Sequence, residues 1–315
     1  MNLRHIFIPL LLAFAIEIAA SAAIAQDKGS VNPQPLPPLA NPRDPKIGAR
    51  ELFARKVLPS AMPTRVIGFY SHGCIAGAQL LPINGETWQV MRLSRNRNWG
   101  HPDLVALVER LSVRIHKEAG WPGILVGDMS QPRGGPMLTG HASHQVGLDA
   151  DIWLTPMPDR RFSREEREEK SAMMMVRPDR LDIDPDVWTP GHLMLIRDAA
   201  QEPSVQRIFV NAAIKKALCR DTRGDRSWLS KIRPMYGHDY HFHIRIKCPP
   251  GSKECESQPE PTEGEACSPA DLAYWFRDEV IHPKPPQEPP QPKPLTMAQL
   301  PPACRQVLAA PDAKH

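Results

Sequence analysis

The stretch GHASHQVGLDADIWL, Gly140 to Leu154, sets the reading of the whole chain. Its second half, residues 148–154, alternates polar and apolar side chains, the pattern of a strand with one polar face. Asp149, Asp151 and Trp153 then share a face. A second stretch, GHDYHFHIR from Gly237 to Arg245, lies in a similar run, and residues 239–246 again read as a strand. There His241 and His243 point one way, with Tyr240, Phe242 and Ile244 opposite. If the two strands are neighbours, imidazoles and carboxylates converge on one polar patch. Working outward, residues 65–70, 123–128 and 207–210 read as further strands. Residues 102–119 carry Leu104, Val105, Leu107, Val108, Leu111 and Ile115 at helical spacing, and Gly120 follows as a stop. Residues 190–201 read as a helix, and Asn211 caps another through Leu218. The charged run at residues 160–170 reads as a solvated loop or helix. Strands and helices do not alternate strictly, which favours an α+β fold: a single compact domain with a central antiparallel sheet carrying the polar site.

Five of the chain's 12 histidines fall in the two opening stretches: His141, His144, His238, His241 and His243. Neutral imidazole and carboxylate are both good zinc donors, and three protein ligands with one open position make a catalytic rather than a structural site. His-x-His and His-x6-Asp are each weak signals; together, on two period-2 strands, they are strong. His72, His101, His116, His192, His282 and His315 have nothing nearby to complete a site and read as structural or exposed. Other chemistries lack their frames. There is no Gly-x-Ser-x-Gly elbow around Ser143, no His-Glu-x-x-His helix, no phosphate-binding loop and no Gly-x-Gly-x-x-Gly. The carboxylates from Glu165 to Glu169 read as a solvated face.

The chain has 315 residues, a formal charge of +4 and 36 prolines. The mild positive charge, without a basic stripe interleaved with aromatics, does not point to nucleic acid. At the N-terminus, Arg4 and His5 precede an apolar run from Ile6 to Ile16, and Ala23-Ile24-Ala25 has the small-x-small form of a cleavage site. Residues 1–25 are therefore expected to be a cleaved signal peptide. The run is too short for a bilayer span, and no second one occurs, so no membrane span is expected after cleavage. Residues 26–47 read as a proline-rich leader and residues 48–282 as the folded domain. Residues 283–315 read as a proline-rich tail, tied back to the body if Cys304 is bridged. All six cysteines lie beyond the cleavage site, and an even count in an exported chain favours disulfides. The sequence leaves fifteen pairings open. Oligomeric state is not legible.

GHASHQVGLDADIWL, VNAAIKKALC (Val210 to Cys219) and GHDYHFHIR closely resemble the penicillin-insensitive murein endopeptidases. The resemblance extends over residues 48–304. His144 with Asp151, and His241 with His243, match the signature shared with lysostaphin-type and D-Ala-D-Ala carboxypeptidase-type enzymes. It implies a periplasmic zinc peptidase, with residues 48–282 as its catalytic domain, that cuts D-alanyl to meso-diaminopimelyl bridges of peptidoglycan. It implies His144, Asp151 and His243 as Zn2+ ligands, His141 as metal-associated, and His241 and His238 as catalytic residues. On that frame, His241 stands two residues from a ligand and can serve as general base or oxyanion donor, with His238 as its partner. The resemblance further implies the pairs Cys74–Cys304, Cys219–Cys267 and Cys248–Cys255. One departure is visible: where the family can carry a second zinc on Asp-x-x-His, this chain has Asp179-Arg-Leu-Asp182, which puts a second metal in doubt. The alternatives are a carboxypeptidase that trims terminal D-alanine, and a non-catalytic periplasmic zinc- or peptidoglycan-binding protein.

Overall fold

A computed structural model describes residues 28–262, 264–284 and 294–314. The expected signal peptide, residues 1–25, lies outside the described residues, as do residues 285–293 of the proline-rich tail. The strands are β1 (Arg65–Phe69), β2 (His72–Ala76), β3 (Gln79–Leu80), β4 (Trp88–Val90), β5 (Trp99–Gly100), β6 (Ile124–Val126), β7 (Asp149–Trp153), β8 (Val205–Val210), β9 (Ile232–Pro234) and β10 (His241–Ile246). The helices are α1 (Ala49–Phe53), α2 (Pro102–Ala119), α3 (Arg164–Glu169), α4 (Pro190–Gln201), α5 (Ala212–Asp221), α6 (Pro269–Leu272), α7 (Asp278–Ile281) and α8 (Ala303–Ala309).

Six strands form one sheet in the order β4-β6-β7-β10-β8-β9. Its middle, β6-β7-β10-β8, is antiparallel, but β4 runs parallel to β6 and β9 parallel to β8. The sheet is therefore mixed, not antiparallel throughout as the sequence suggests. The parallel edges are three-residue strands, too short for their direction to be read from a hydrophobic pattern. The α+β class agrees with this mixture of helices and a mixed sheet.

One face of the middle strands is apolar. Ala150, Ile152, Phe242, Ile244 and Ile208 are buried there in one cluster with Leu104, Leu107, Leu111 and Ile115 of α2 and Leu195, Ile196 and Ala199 of α4. Each buried aliphatic side chain contributes about 1.5–3 kcal/mol. The period of 3.6 in α2 matches this face, and truncating Leu111 to alanine would cost about 2–5 kcal/mol. The helix ends follow from local chemistry. His101 accepts a hydrogen bond from the Asp103 N–H at 3.2 Å, and Pro102 opens the first turn. Gly120, at φ 68°, terminates it in the left-handed region.

The tail packs on the body. A second cluster joins Ala49, Phe53, Ile67, Cys74 and Ala76 to Leu300, Cys304 and Val307. The Cys74–Cys304 disulfide joins β2 to α8; Cys219–Cys267 and Cys248–Cys255 are the other two bridges. The fully buried Arg133 guanidinium donates to the carbonyls of Val307, Leu308 and Ala310 and pairs with Asp312 at 2.6 Å. A cation there satisfies carbonyls that the end of α8 leaves open.

The charged run at 160–170 departs from expectation. Residues Arg164–Glu169 are a helix, but Arg167 and Glu168 are buried rather than solvated. Arg167 donates to the carbonyls of Ile83 and Val90, and Glu168 accepts from the backbone and hydroxyl of Ser94. These partners lie more than 70 residues away in sequence, out of reach of a local pattern.

Candidate metal centre

Strands β7 and β10 are direct neighbours, and their register pairs His243 with Asp151, His241 with Trp153 and Arg245 with Asp149. Because successive side chains alternate faces, the polar members of both strands meet on the side away from the apolar cluster. Tyr240 does not follow the expected alternation. It precedes β10 and lines the cleft beside His241.

The loop before β7 supplies two more imidazoles. His144 sits at φ 65°, a left-handed conformation that costs a non-glycine residue of order 1 kcal/mol or more. Its N–H donates to Asp149 Oδ2 at 3.1 Å, which holds the turn against that strain. One ligand atom from each of His141, His144 and Asp151 lies within 4.8 Å of the others, a group that can hold a metal ion. His243 joins them from the neighbouring strand. His144 Nε2 and His243 Nδ1 stand 3.5 and 3.2 Å from Asp151 Oδ1. Ligands bonded at about 2.0–2.2 Å in a tetrahedron lie about 3.4 Å apart, so these spacings suit one shared cation.

Both ring nitrogens of His144 and Oδ1 of Asp151 are buried and make no well-formed hydrogen bond. Buried polar atoms of this kind are costly unless something else satisfies them. The two other imidazoles nearest Asp151 each meet a second carboxylate. His243 Nε2 meets Asp149 Oδ1 at 2.8 Å, and a carboxylate only accepts, so Nε2 carries the proton and Nδ1 faces the cluster. His141 Nε2 meets Asp128 Oδ2 at 3.0 Å, and Arg97 and Arg95 donate to that same oxygen at 2.8 and 2.9 Å.

The electrostatics follow from burial and these partners. Burial pushes the His144 imidazole below its ordinary value, leaving it neutral with a lone pair to offer. Burial also opposes charge on His243, but the Asp149 carboxylate outweighs it, aided by Asp151, and raises His243 to about 9. Burial favours a neutral Asp151, yet His144, His241 and His141 hold its carboxyl well below the usual range. Burial lowers His241 to about 3 and His238 to about 4. His238 Nδ1 lies 3.1 Å from the Tyr236 carbonyl, so Nδ1 carries the proton and Nε2 keeps its lone pair. The His238 and His241 rings meet tilted at 40°, with centroids 4.8 Å apart.

A cleft of about 130 Å3 opens beside the cluster. His141, Asp151 and His241 line it, together with Asp128, Arg92, Arg95, Trp153 and Tyr240. The two histidine motifs assign no role to Asp128, Asp149, Arg92 or Arg95. Asp149 was legible as a face-mate of Asp151; Asp128 arrives from another loop and has no local signal. Asp179 and Asp182 are not part of the centre. Asp179 pairs with Arg177 at 2.9 Å, and Asp182 with Arg220 and Lys216 at 2.9 and 3.1 Å. Of the other histidines, His192 is buried, bonded to Thr189 and the Leu154 carbonyl, and His116 meets the Trp121 carbonyl.

A family model described as penicillin-insensitive murein endopeptidase matches residues 66–309. A Haemophilus influenzae protein of that name is 44% identical over 254 residues, spanning 79% of this chain and 84% of the relative. A Pectobacterium atrosepticum protein of the same name is 43% identical over 250 residues, spanning 79% and 86%. One from Escherichia coli is 45% identical over 242 residues, spanning 77% and 85%.

Proposed function

The chain belongs to the penicillin-insensitive murein endopeptidase family, and from that premise we propose that it is a zinc-dependent peptidoglycan endopeptidase cutting D-alanyl to meso-diaminopimelyl cross-links. His144, Asp151 and His243 would hold the zinc. The observation that carries this reading is the buried set of unsatisfied donor atoms on His144 and Asp151, with His243 Nδ1 beside them. His141 stands at the edge of the set, its Nε2 engaged by Asp128. When bound, zinc supplies a Lewis acid that acidifies water and polarises a carbonyl.

The remaining work falls to the chain's own groups. Asp149 holds His243 in one tautomer and orientation, as a carboxylate behind a metal-ligating imidazole does. His241 lines the cleft, and with its low basicity it is neutral at neutral pH. A neutral imidazole donates a hydrogen bond, so of its two candidate roles oxyanion stabilisation fits better than general base. His238, with Nδ1 committed to Tyr236, presents Nε2 as a hydrogen-bond acceptor beside it. Three disulfides suit an oxidising compartment, and with the expected signal peptide they support a periplasmic location. Among the described residues no helix is long and apolar enough to cross a membrane.

The test is chromatography of muropeptides after digestion of purified sacculi, with and without chelator. Zinc-dependent conversion of cross-linked dimers to monomers is expected. Release of D-alanine alone, or full activity in chelator, would overturn the proposal.

A further inference from the structure

Just before His238 the chain turns large apolar side chains to solvent. Met235 and Tyr236 are 40 and 45% exposed. In the turn Ala273–Phe276, Tyr274 is 53% exposed and Trp275 is half-buried. Met235, Tyr236 and Trp275, with Arg180 and with Val280 and Ile281 of α7, line one shallow hollow of about 20 Å3. That is room for about one water- or methyl-sized group. Apolar side chains exposed together beside a site mark a contact surface.

The surface is fastened from several sides. Arg180 lies 5.8 Å over the Tyr236 ring and stands 3.7 Å from Asp239. Asn211 Nδ2 donates to the Gly237 carbonyl at 2.9 Å, and the Asn211 N–H to the His238 carbonyl at 3.0 Å. Cys219–Cys267 ties the segment leading to Trp275 onto α5. Arg180 and His238 sit at φ 58° and 52°. The left-handed region is costly for residues other than glycine, and such strain gathers at functional sites.

We propose that this surface docks the glycan strand of peptidoglycan, with the Tyr236 and Trp275 rings against sugar faces and the hollow taking the methyl of an N-acetyl group. The inference rests on the endopeptidase reading, in which the metal cleft cuts a peptide that hangs from such a strand. The reach agrees. The Cα atoms of Tyr236 and His238 are at most about 7.6 Å apart, and the His238 ring lies 6.2 Å from that of His243. A stem of four residues extends on the order of 14 Å, so a strand held here can present its cross-link to the metal ligands. The chemistry agrees as well. One face of a pyranose ring offers C–H bonds of partial positive charge, which suit the negative face of an aromatic ring. The hollow is lined mainly by apolar side chains, which suits a methyl group better than a charge.

The probes are one cross-linked peptide dimer in two forms, with its sugars attached and with them removed by an amidase, each digested by the zinc-loaded full chain. The wild type should cleave the sugar-bearing form about tenfold better in kcat/KM, mainly through KM. Trp275→Leu keeps apolar bulk but loses the ring face, and should shrink that ratio to about threefold or less; Trp275→Phe should keep most of it. Removing the N-acetyl groups from the sugars should raise KM about threefold. Equal cleavage of both forms by the wild type overturns the docking surface and leaves the endopeptidase reading standing. An unchanged ratio in Trp275→Leu, with equal losses on both forms, also overturns it, because that is what a structural role gives. An unchanged KM for de-N-acetylated sugars overturns the role of the hollow. Cleavage of neither form overturns the endopeptidase reading, and the docking surface with it.

Discussion

Replacing Asp149 with asparagine separates metal support from fold support at one atom pair. Asp149 is fully buried and accepts from His243 Nε2 and Arg245 Nε, each at 2.8 Å, and from the His144 N–H at 3.1 Å. Asparagine keeps the shape and one acceptor but removes the charge. Arg245, itself buried and lying 4.1 Å over the Tyr70 ring, then lacks its counter-ion. Breaking a buried pair from one side costs about 3–5 kcal/mol, and the retained amide oxygen puts the expected loss near the lower end. Zinc affinity should fall separately by about 10–100-fold, because His243 is no longer fixed by a carboxylate. The acid limb changes as well. Burial opposes ionisation of Asp149, but Arg245 and His243 hold its carboxyl well below the usual range. Its contribution is therefore present above the unfolded value of about 4 and is lost as pH falls toward the native one. Denaturant unfolding in chelator, from pH 7 downward, should show a less stable variant whose stability falls less steeply in acid. Zinc titration against a chromophoric chelator reads the second effect. A variant as stable as wild type in chelator, or one that binds zinc within about a factor of three of wild type, would refute the role assigned to Asp149.

His241→Ala should retain stoichiometric zinc while losing about 10²–10³ in kcat on cross-linked muropeptides; metal analysis beside activity distinguishes this from loss of the ion. In metal-free protein His243 is protonated below about 9, so zinc binding must displace a proton. Affinity should climb with pH up to that value and then flatten, and calorimetry in buffers of different ionisation enthalpy should detect the release; pH-independent binding between 7 and 9 would contradict it. Replacing Cys74 and Cys304 together with alanine should cost about 2–5 kcal/mol of stability by thermal or denaturant unfolding. An unchanged melting temperature would show that Arg133 and the apolar contacts alone hold α8.

Much of the site could be read in advance because its two strands are regular. A period of two put Asp149 with Asp151 and His241 with His243, and the register made the pairs adjacent. Helix α2 was legible for the same reason, since six aliphatic residues at helical spacing have only one face to bury. What escaped depended on distant partners. Asp128 earns its position from Arg97 and His141, and Glu168 from Ser94, neither of which a local pattern can announce. Tyr240 escaped because it falls one residue before β10 begins, where strand alternation no longer applies. The parallel edges, β4 and β9, were too short to carry a direction.

The clamp of Arg133 on residues 307–312 also bears on timing. The hairpin of β1 and β2 lies early in the chain, yet it closes its apolar cluster only against Leu300, Cys304 and Val307. Contacts separated by more than 200 residues form slowly, because loop closure precedes any reward. A chain emerging N-terminus first therefore cannot complete this cluster until α8 has also emerged. That ordering leaves the apolar face of the hairpin open for most of the chain's synthesis.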